Sequence, residues 1–536
     1  MSKDNKFLRG AAILSIAGII VKILGAIYRI PLSNIIKPEG MGYYQTAYPI
    51  YNLLLTLSNA GFPVAIAKLV SERNALGDYR NAHKVFKVSL VGLSIGGLLS
   101  ALFLTYGAKP IVDYIGNSNA YYALLAMVPA LVFVPIMAAF RGFFQGSKNM
   151  VPTAVSQISE QLLRVIIGLS LTLLLLEYGK PIAAGGASFG ASAGGMAGAL
   201  TMVIIYSRNR KKITTRIKQS TIDVEYSVKN IIMDLVLIAI PITIGSAIAP
   251  IMDTIDASLV LKRLQFIGYT EAYANELYGQ LKGMAQTLIN LPQLFSIAIS
   301  MSMVPSISDA YARHASKEIK DLLSSGVRMT LLIGFPCALG LFVLSTPIID
   351  LLYFSNTAET IISTGEILAY LSIGVVFLMS VQTLTAVLQG LGKASIPVRN
   401  LAIGAIVKVI LTYTLTAIPS INVKGAAIST VAAYAIAAIL DFISVLRITR
   451  AKINYKYILF KPLFSAVGMA IITRLGYIIL DSIIGKKLAT IVAVFIGVLS
   501  YAILLVLTGT LDEDDFKLIP NGDKVFRKLK RYKILK

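Results

Sequence analysis

The 536-residue chain has no tryptophan, one cysteine and two histidines, and only 14% of its residues are charged. The single Cys337 cannot close an intrachain disulfide, and with two histidines no Cys/His constellation for structural zinc can be assembled. His83 and His314 both fall in polar segments and read as solvated loop residues. Without tryptophan, any interfacial aromatic belt must be built from the 26 tyrosines. The shortage of charge excludes most. Soluble domains are about 25% charged and about 45–50% apolar, whereas this chain is 56% hydrophobic with a mean hydropathy of +0.73. A bias of that size over the whole length excludes an ordinary soluble enzyme and a disordered chain.

What is present is a series of long apolar runs. They fall at about 8–30, 44–67, 85–107, 120–140, 153–176, 185–206, 231–260, 280–304, 327–346, 365–388, 400–418, 425–446, 462–481 and 488–509. Each approaches the roughly 20 residues that cross a bilayer as a helix, and none shows the period-2 alternation of a membrane barrel. The first run is too long for a signal-peptide core and is read as the first span. The expected fold is an all-α membrane protein of fourteen transmembrane helices.

The net charge is +23, from 50 Lys+Arg against 27 Asp+Glu. With the N-terminus placed in the cytoplasm, 36 of the 50 cations fall on the cytoplasmic side or flank it and 9 fall on the other, so both termini are expected inside. The densest internal stretch is RNRKKITTRIKQS. The tail KVFRKLKRYKILK is basic with interleaved apolar residues, and two readings stand for it: contact with the anionic lipids of the cytoplasmic face, or plain solvation.

The chain also repeats itself. Pro63 of FPVAIAKLVSERNALGD matches Pro305 of VPSISDAYARHASKEIKD, KPIVDYIG around Pro110 matches TPIIDLLYF around Pro347, and Gln145-Gly146 and Pro152 match Gln389-Gly390 and Pro397. Three matches in one order at nearly one offset indicate a parallel repeat of six spans. The expected organisation is an N-lobe at 1–206, a basic linker at 207–229, a pseudo-symmetric C-lobe at 230–446, two further helices at 447–509 and a basic tail at 510–536. Gly186, Gly190, Gly194 and Gly198, each four residues apart, read as a stripe for close helix packing.

Five cations remain inside spans, where each costs about 2.5–3.5 kcal/mol even on a lenient scale. Lys22 and Arg29 lie seven residues apart, about two turns, on one face of the first span. Arg164 and Lys408 are near-equivalents in the two repeats. Glu160 precedes Arg164 by four residues, in the favourable order for a helical ion pair. Asp253 and Asp256 share a face of the seventh span, and Gln286 and Asn290 approach Pro292 in the eighth. Bland readings stand beside these: Arg29 snorkels to an interface, Glu160 and Arg164 neutralise each other, and Arg474 and Asp441 are packing or interfacial groups. Lys22, Arg29, Arg164 and Lys408 together would attract an anion, and phosphate suits an Arg fork and a Lys point charge. Glu160, Asn52, Gln286 and Asn290 complete the candidate substrate-binding set. Asp253 and Asp256 either oppose the cations or hold a coupling Na+ or H+.

The stretch VKILGAIYRIPLSNIIKPEGMGYYQTAYPIYNLLLTLSNAGFPVAIAKLVSE strongly resembles the start of the stage V sporulation protein B family, which groups with the Gram-positive lipid II flippases related to MurJ. SAIAPIMDTIDASLVLKRLQ, GQLKGMAQTLINLPQLFSIAISMSMVPSIS and LQGLGKASIPVRN resemble the same group, within the multidrug/oligosaccharidyl-lipid/polysaccharide (MOP) exporter superfamily, and the similarity runs the whole length. The resemblance implies a MATE-like fold and a flippase in the bacterial cytoplasmic membrane for an undecaprenyl-diphosphate-linked saccharide, with lipid II the first candidate. It implies a transporter driven by an ion or the membrane potential, without catalytic residues, metal or organic cofactor, working beside the cell-wall synthesis machinery. MurJ-type proteins carry an arginine pair around a Leu-Gly step in the first helix. Here Leu24-Gly25 is flanked by Lys22 and, more distantly, Arg29. Gram-negative members carry an Arg and a Glu before the proline matching Pro292, where this chain has Thr287 and Asn290.

Three rivals remain. The same mechanism could carry a teichoic acid, capsule or spore-cortex precursor. A multidrug or cation exporter would need an acid-dominated cavity. A membrane enzyme would need a site on a sizeable outer loop, and the longest, around 261–279, has only Lys262, Arg263, Glu271 and Glu276 as charged residues. Nucleic acid is excluded as a partner, because the cations are spread along one membrane face.

Overall fold

In lipid a backbone must satisfy its own polar groups, and a long apolar run does so as a helix. The computed structural model describes residues 3–221, 226–451 and 454–510, and among these every regular element is helical. Eleven helices are long and apolar enough to cross a membrane, or up to thirteen when two bent pairs, Glu271–Ile289 with Gln293–Ala312 and Ala358–Ser372 with Gly374–Gly390, each count as one span. The described helices overlap all fourteen apolar runs. The tail from 511 onward and residues 222–225 of the basic linker lie outside the described residues.

Packing divides the chain into two units, residues 1–279 and 280–536. The first holds α1 (Lys3–Asn59), α2 (Phe62–Ala75), α3 (Tyr79–Ile115), α4 (Tyr121–Ala126), α5 (Val128–Gly146), α6 (Val151–Leu175), α7 (Lys180–Lys218), α8 (Val228–Phe266) and α9 (Glu271–Tyr278). Two breaks shape its start. Lys37, just before Pro38, has non-helical dihedrals (φ 63°, ψ 176°), at a position where the proline disfavours the α region. Gly61 then separates α1 from α2. Its backbone comes so close to Ala239 of α8 that a Cβ would lie 2.1 Å from that carbonyl oxygen, and its N–H donates to Thr243 Oγ1 at 3.1 Å. The helix expected to open the second lobe, α8, therefore packs on α1, α2 and α3 within the first unit.

The second unit holds α10 (Gln286–Ile289), α11 (Gln293–Ala312), α12 (Ser316–Val343), α13 (Ser345–Leu352), α14 (Ala358–Ser372), α15 (Gly374–Gly390), α16 (Ser395–Leu415), α17 (Lys424–Thr449), α18 (Lys461–Ile484) and α19 (Lys486–Leu507). Its core joins α11, α12, α15 and α18 through Ile307, Leu323, Leu388 and Ala466. An apolar cavity of about 530 Å³ lies among α12, α15, α17 and α18, with Phe335, Val376, Phe442 and Leu463 in its walls.

The sequence repeat has a packing counterpart inside each unit. Helices α2, α3, α5, α6 and α7 contact one another in the same pairs as α11, α12, α15, α16 and α17. The matched glycines serve the same purpose. A Cβ on Gly146 would meet Ala67 and Val70 of α2, and one on Gly390 would meet Val304 and Ile307 of α11. Both positions need hydrogen where α5 and α15 end against a neighbouring helix.

Candidate functional site

In the first unit, Tyr44, Tyr48 and Tyr51 follow the Pro38 break at i, i+4 and i+7, which places their rings on one face of α1. Tyr44 and Tyr48 stack at 5.9 Å between centroids, and Tyr48 and Tyr51 are 6.1 Å apart. Tyr28, from the segment of α1 before the break, meets Tyr44 edge-on at 6.5 Å, and its hydroxyl donates to the Ala187 carbonyl of α7 at 2.8 Å. The result is a ladder of four tyrosines, three of them almost wholly buried apart from Tyr48.

Helix α6 brings charge to this ladder, and the glycine stripe of α7 sets how closely. A Cβ on Gly190 would lie 2.6 Å from the Arg164 carbonyl oxygen, and one on Gly194 would lie 2.5 Å from that of Glu160. The stripe is a packing device, as its spacing indicates, and what it packs is the segment bearing Glu160 and Arg164. Arg164 acts electrostatically on Tyr44, Tyr48 and Tyr51, and Arg29 and Arg164 both act on Tyr28 and Tyr44.

Glu160 does not simply cancel Arg164. Its Oε1 lies 3.4 Å from Arg164 Nη2, and its Oε2 accepts from Arg141 Nη2 at 3.0 Å. Arg141 Nε donates in turn to Ser156 Oγ at 2.9 Å. Two guanidiniums share one carboxylate, so the cluster keeps a positive charge. Two buried donors in this neighbourhood, Arg164 Nε and Tyr51 Oη, have no hydrogen-bond partner among the described residues. Buried donors are nearly always paired, so this pair is suited to an acceptor brought by a ligand. A phosphate oxygen is such an acceptor, and an Arg fork beside phenolic hydroxyls is a good cradle for it.

The structure thus brings Arg29, Glu160 and Arg164 to one neighbourhood. Lys22 is exposed within the chain and precedes by three residues Gly25, which faces Gln161 of α6. Asn52 is half-buried next to Tyr51. Asp253 and Asp256 differ in environment on α8, the first exposed and the second buried. The remaining candidates belong to the second unit. Lys408 is half-buried on α16, and Gln286 Nε2 donates to Asn290 Oδ1 at 3.3 Å just before the helix breaks at Pro292. Of the two expected packing or interfacial groups, Asp441 is buried and accepts from Asn400 Nδ2 at 2.8 Å, and Arg474 is exposed and donates to the Val343 carbonyl at 3.3 Å.

Sequence reasoning missed Arg141 and the tyrosine ladder. It also misplaced His83, which is not a solvated loop residue. His83 stacks on Tyr206 at 6.3 Å with its Nε2 2.7 Å from the phenol oxygen, among Phe86 and Phe143. His314 is exposed in the turn after α11, as expected.

Comparison with known proteins adds the following. Residues 7–311 match the family described as Polysaccharide biosynthesis protein, and residues 282–414 match MatE. The chain is 30% identical over 527 residues to stage V sporulation protein B of Bacillus subtilis (strain 168), a span of 97% of this chain and 98% of that protein. It is 28% identical over 482 residues to lipid II flippase MurJ of the same strain, 87% of each chain. Among solved structures, lipid II flippase MurJ in an inward closed conformation superposes with a TM-score of 0.70 at 19% identity, covering 92% of this chain and 98% of that one. That likeness shows the fold.

Proposed function

Since the chain belongs to the polysaccharide biosynthesis protein family of the MOP exporter superfamily, and is a multi-pass membrane protein, we propose that it is a flippase for an undecaprenyl-diphosphate-linked saccharide, with lipid II as its cargo. The observation that carries this reading is the pair of unpartnered buried donors, Arg164 Nε and Tyr51 Oη, in a cluster where two arginines share Glu160. The diphosphate is held there, with Arg29 across the same tyrosines. Lys22 and Asn52 assist in the same unit, Lys408, Gln286 and Asn290 are the candidate headgroup contacts of the second unit, and the polyprenyl tail stays in lipid. Alternating access exposes the headgroup to one side and then the other. No bond is made or broken. Asp253 or Asp256 serves the coupling Na+ or H+.

The reading includes fourteen spans with both termini in the cytoplasm. A 60-residue run, Ile16–Ala75, counts as one apolar helix, but at 1.5 Å per residue it would be about 90 Å long, three times the hydrocarbon thickness. The break at Lys37 supports counting it as two spans, and with the two bent pairs that reading has fourteen.

The relative named lipid II flippase MurJ supports lipid II as the cargo, and the cationic cluster disfavours a cation exporter. Purified protein in proteoliposomes is expected to move labelled lipid II across the bilayer faster than a teichoic-acid precursor of the same polyprenyl length. Equal or reversed rates would assign the chain another cargo, and movement of neither would remove the flippase reading.

A further inference from the structure

The first unit contains a second cation-lined site, a cavity of about 630 Å³ whose lining includes none of Arg141, Glu160 and Arg164. Helix α7 continues about three turns past its apolar run as a basic rod ending at Lys218. On that rod Asn209, Lys212, Ile213, Arg216 and Ile217 follow the i, i+3, i+4, i+7, i+8 spacing of one helical face, and all five line the cavity with Lys211 at its edge. The facing wall is aromatic. Tyr79 and His83 come from the first turns of α3, and Phe143 from the end of α5, its ring 6.1 Å from that of His83. Among the described residues no acidic side chain lines the cavity.

Short connections hold the walls in place. Gly77, at φ 75°, turns the chain between α2 and α3 in a conformation that favours glycine. Asp78 then caps α3 by accepting from the Asn81 N–H at 3.2 Å. The Arg80 N–H donates to Ser220 Oγ at 3.4 Å, which ties the end of α7 to this turn. Beyond the linker, the Tyr226 N–H donates to Asn81 Oδ1 at 3.1 Å, and Arg73 lies 4.0 Å over the Tyr226 ring. Burial, followed by the bond to Asp234, pushes the Tyr226 hydroxyl up to about 12. At the other end, Ser147 and Asn149 line the cavity around Lys148, whose φ is 59°.

Three cations on one wall, an aromatic wall opposite and no opposing carboxylate in the lining fit one kind of ligand. Arg216 offers a fork and Lys211 and Lys212 offer point charges to a phosphate, while the rings receive the organic part it esterifies. We infer that this cavity is a binding site for a phosphate ester, separate from the translocation site and independent of which cargo the protein carries. Two sources share that chemistry: the headgroup of an anionic lipid and a soluble nucleotide. The site lies where the apolar runs of α3, α5 and α7 end, on the Lys/Arg-rich face, which is the depth of a lipid headgroup.

The test is binding of dioctanoyl phosphatidic acid and, separately, of adenosine monophosphate to the purified full-length protein at low ionic strength. The Lys211→Gln/Lys212→Gln/Arg216→Gln variant removes three exposed side chains and is expected to weaken the bound ligand by at least about tenfold. Tyr79→Ala, which leaves the cations in place, should weaken it as well. A control with equal charge removed in the second unit, Lys317→Gln/Lys320→Gln/Lys393→Gln, should bind within about twofold of the original. Binding of the lipid alone names the membrane as the source, and binding of the nucleotide alone names the soluble pool; either result supports the site. Failure of both ligands to bind, or equal weakening in the two triple variants, overturns it.

Discussion

Glu160 is the residue on which the cluster balances. Its side chain and those of Arg141 and Arg164 are all about one-sixth exposed or less, so removing the carboxylate leaves two guanidiniums facing each other with little screening. Glu160→Gln is therefore expected to destabilise the protein by about 3 kcal/mol, read as a fall in thermal unfolding temperature of the purified protein. Arg164→Ala should cost much less, because Glu160 keeps Arg141. Equal losses in the two variants would mean that the shared carboxylate is not structural. Part of this was visible in the sequence. The spacing of Glu160 and Arg164, and the isolation of charge in apolar surroundings, identify both. Arg141 was hidden because it stands where an apolar run ends, and a cation there is indistinguishable from one that records membrane orientation. The tyrosines were hidden for a different reason. Their i, i+4, i+7 spacing is plain, but with no tryptophan in the chain a tyrosine stripe reads equally well as an interfacial belt. His83 was misread because its polar sequence neighbours gave no sign of Tyr206, 123 positions away.

At the level of elements, the α6–α7 contact decides where the charges sit. A side chain at Gly190 would strike the backbone of Arg164 rather than a movable side chain. Gly190→Leu should cost about 1–3 kcal/mol by overpacking, and should reduce translocation by more than its loss of folded protein explains, since it displaces Arg164. The comparison is activity per folded molecule against thermal stability, and unaltered specific activity would show that α6 tolerates displacement. A Cβ on Gly404 of α16 would likewise lie 2.6 Å from the Ala433 carbonyl oxygen of α17. The stripe was legible because small residues at a spacing of four have one mechanical use in lipid. The break at Lys37 was legible only as the gap between the runs at 8–30 and 44–67. The π-helical turns at Gly279–Ala285 and Lys456–Phe460 were not, since no residue type demands an extra residue per turn at those points.

For the whole molecule, each apolar run overlaps described helices, because the bilayer asks about one length of every crossing helix. The repeat was legible from prolines and glycines, which mark helix ends and close contacts. How the helices sort into compact units was not, since α8 follows the basic linker yet packs with the helices before it. The proposed orientation can be checked in a Cys337→Ser background. Lys393→Cys should react with a membrane-impermeant maleimide only after permeabilisation, and Lys486→Cys should react in intact cells; the opposite pattern would invert the topology. The function rests on Arg29, Arg164 and Tyr51 receiving a diphosphate. The decisive measurement is the rate of lipid II translocation in proteoliposomes by Arg29→Ala and Arg164→Ala variants that unfold at the temperature of the unaltered protein. Loss of one charged phosphate contact, worth about 1.5–3 kcal/mol, predicts a fall of at least about tenfold in each. Translocation at the original rate by both variants would contradict it.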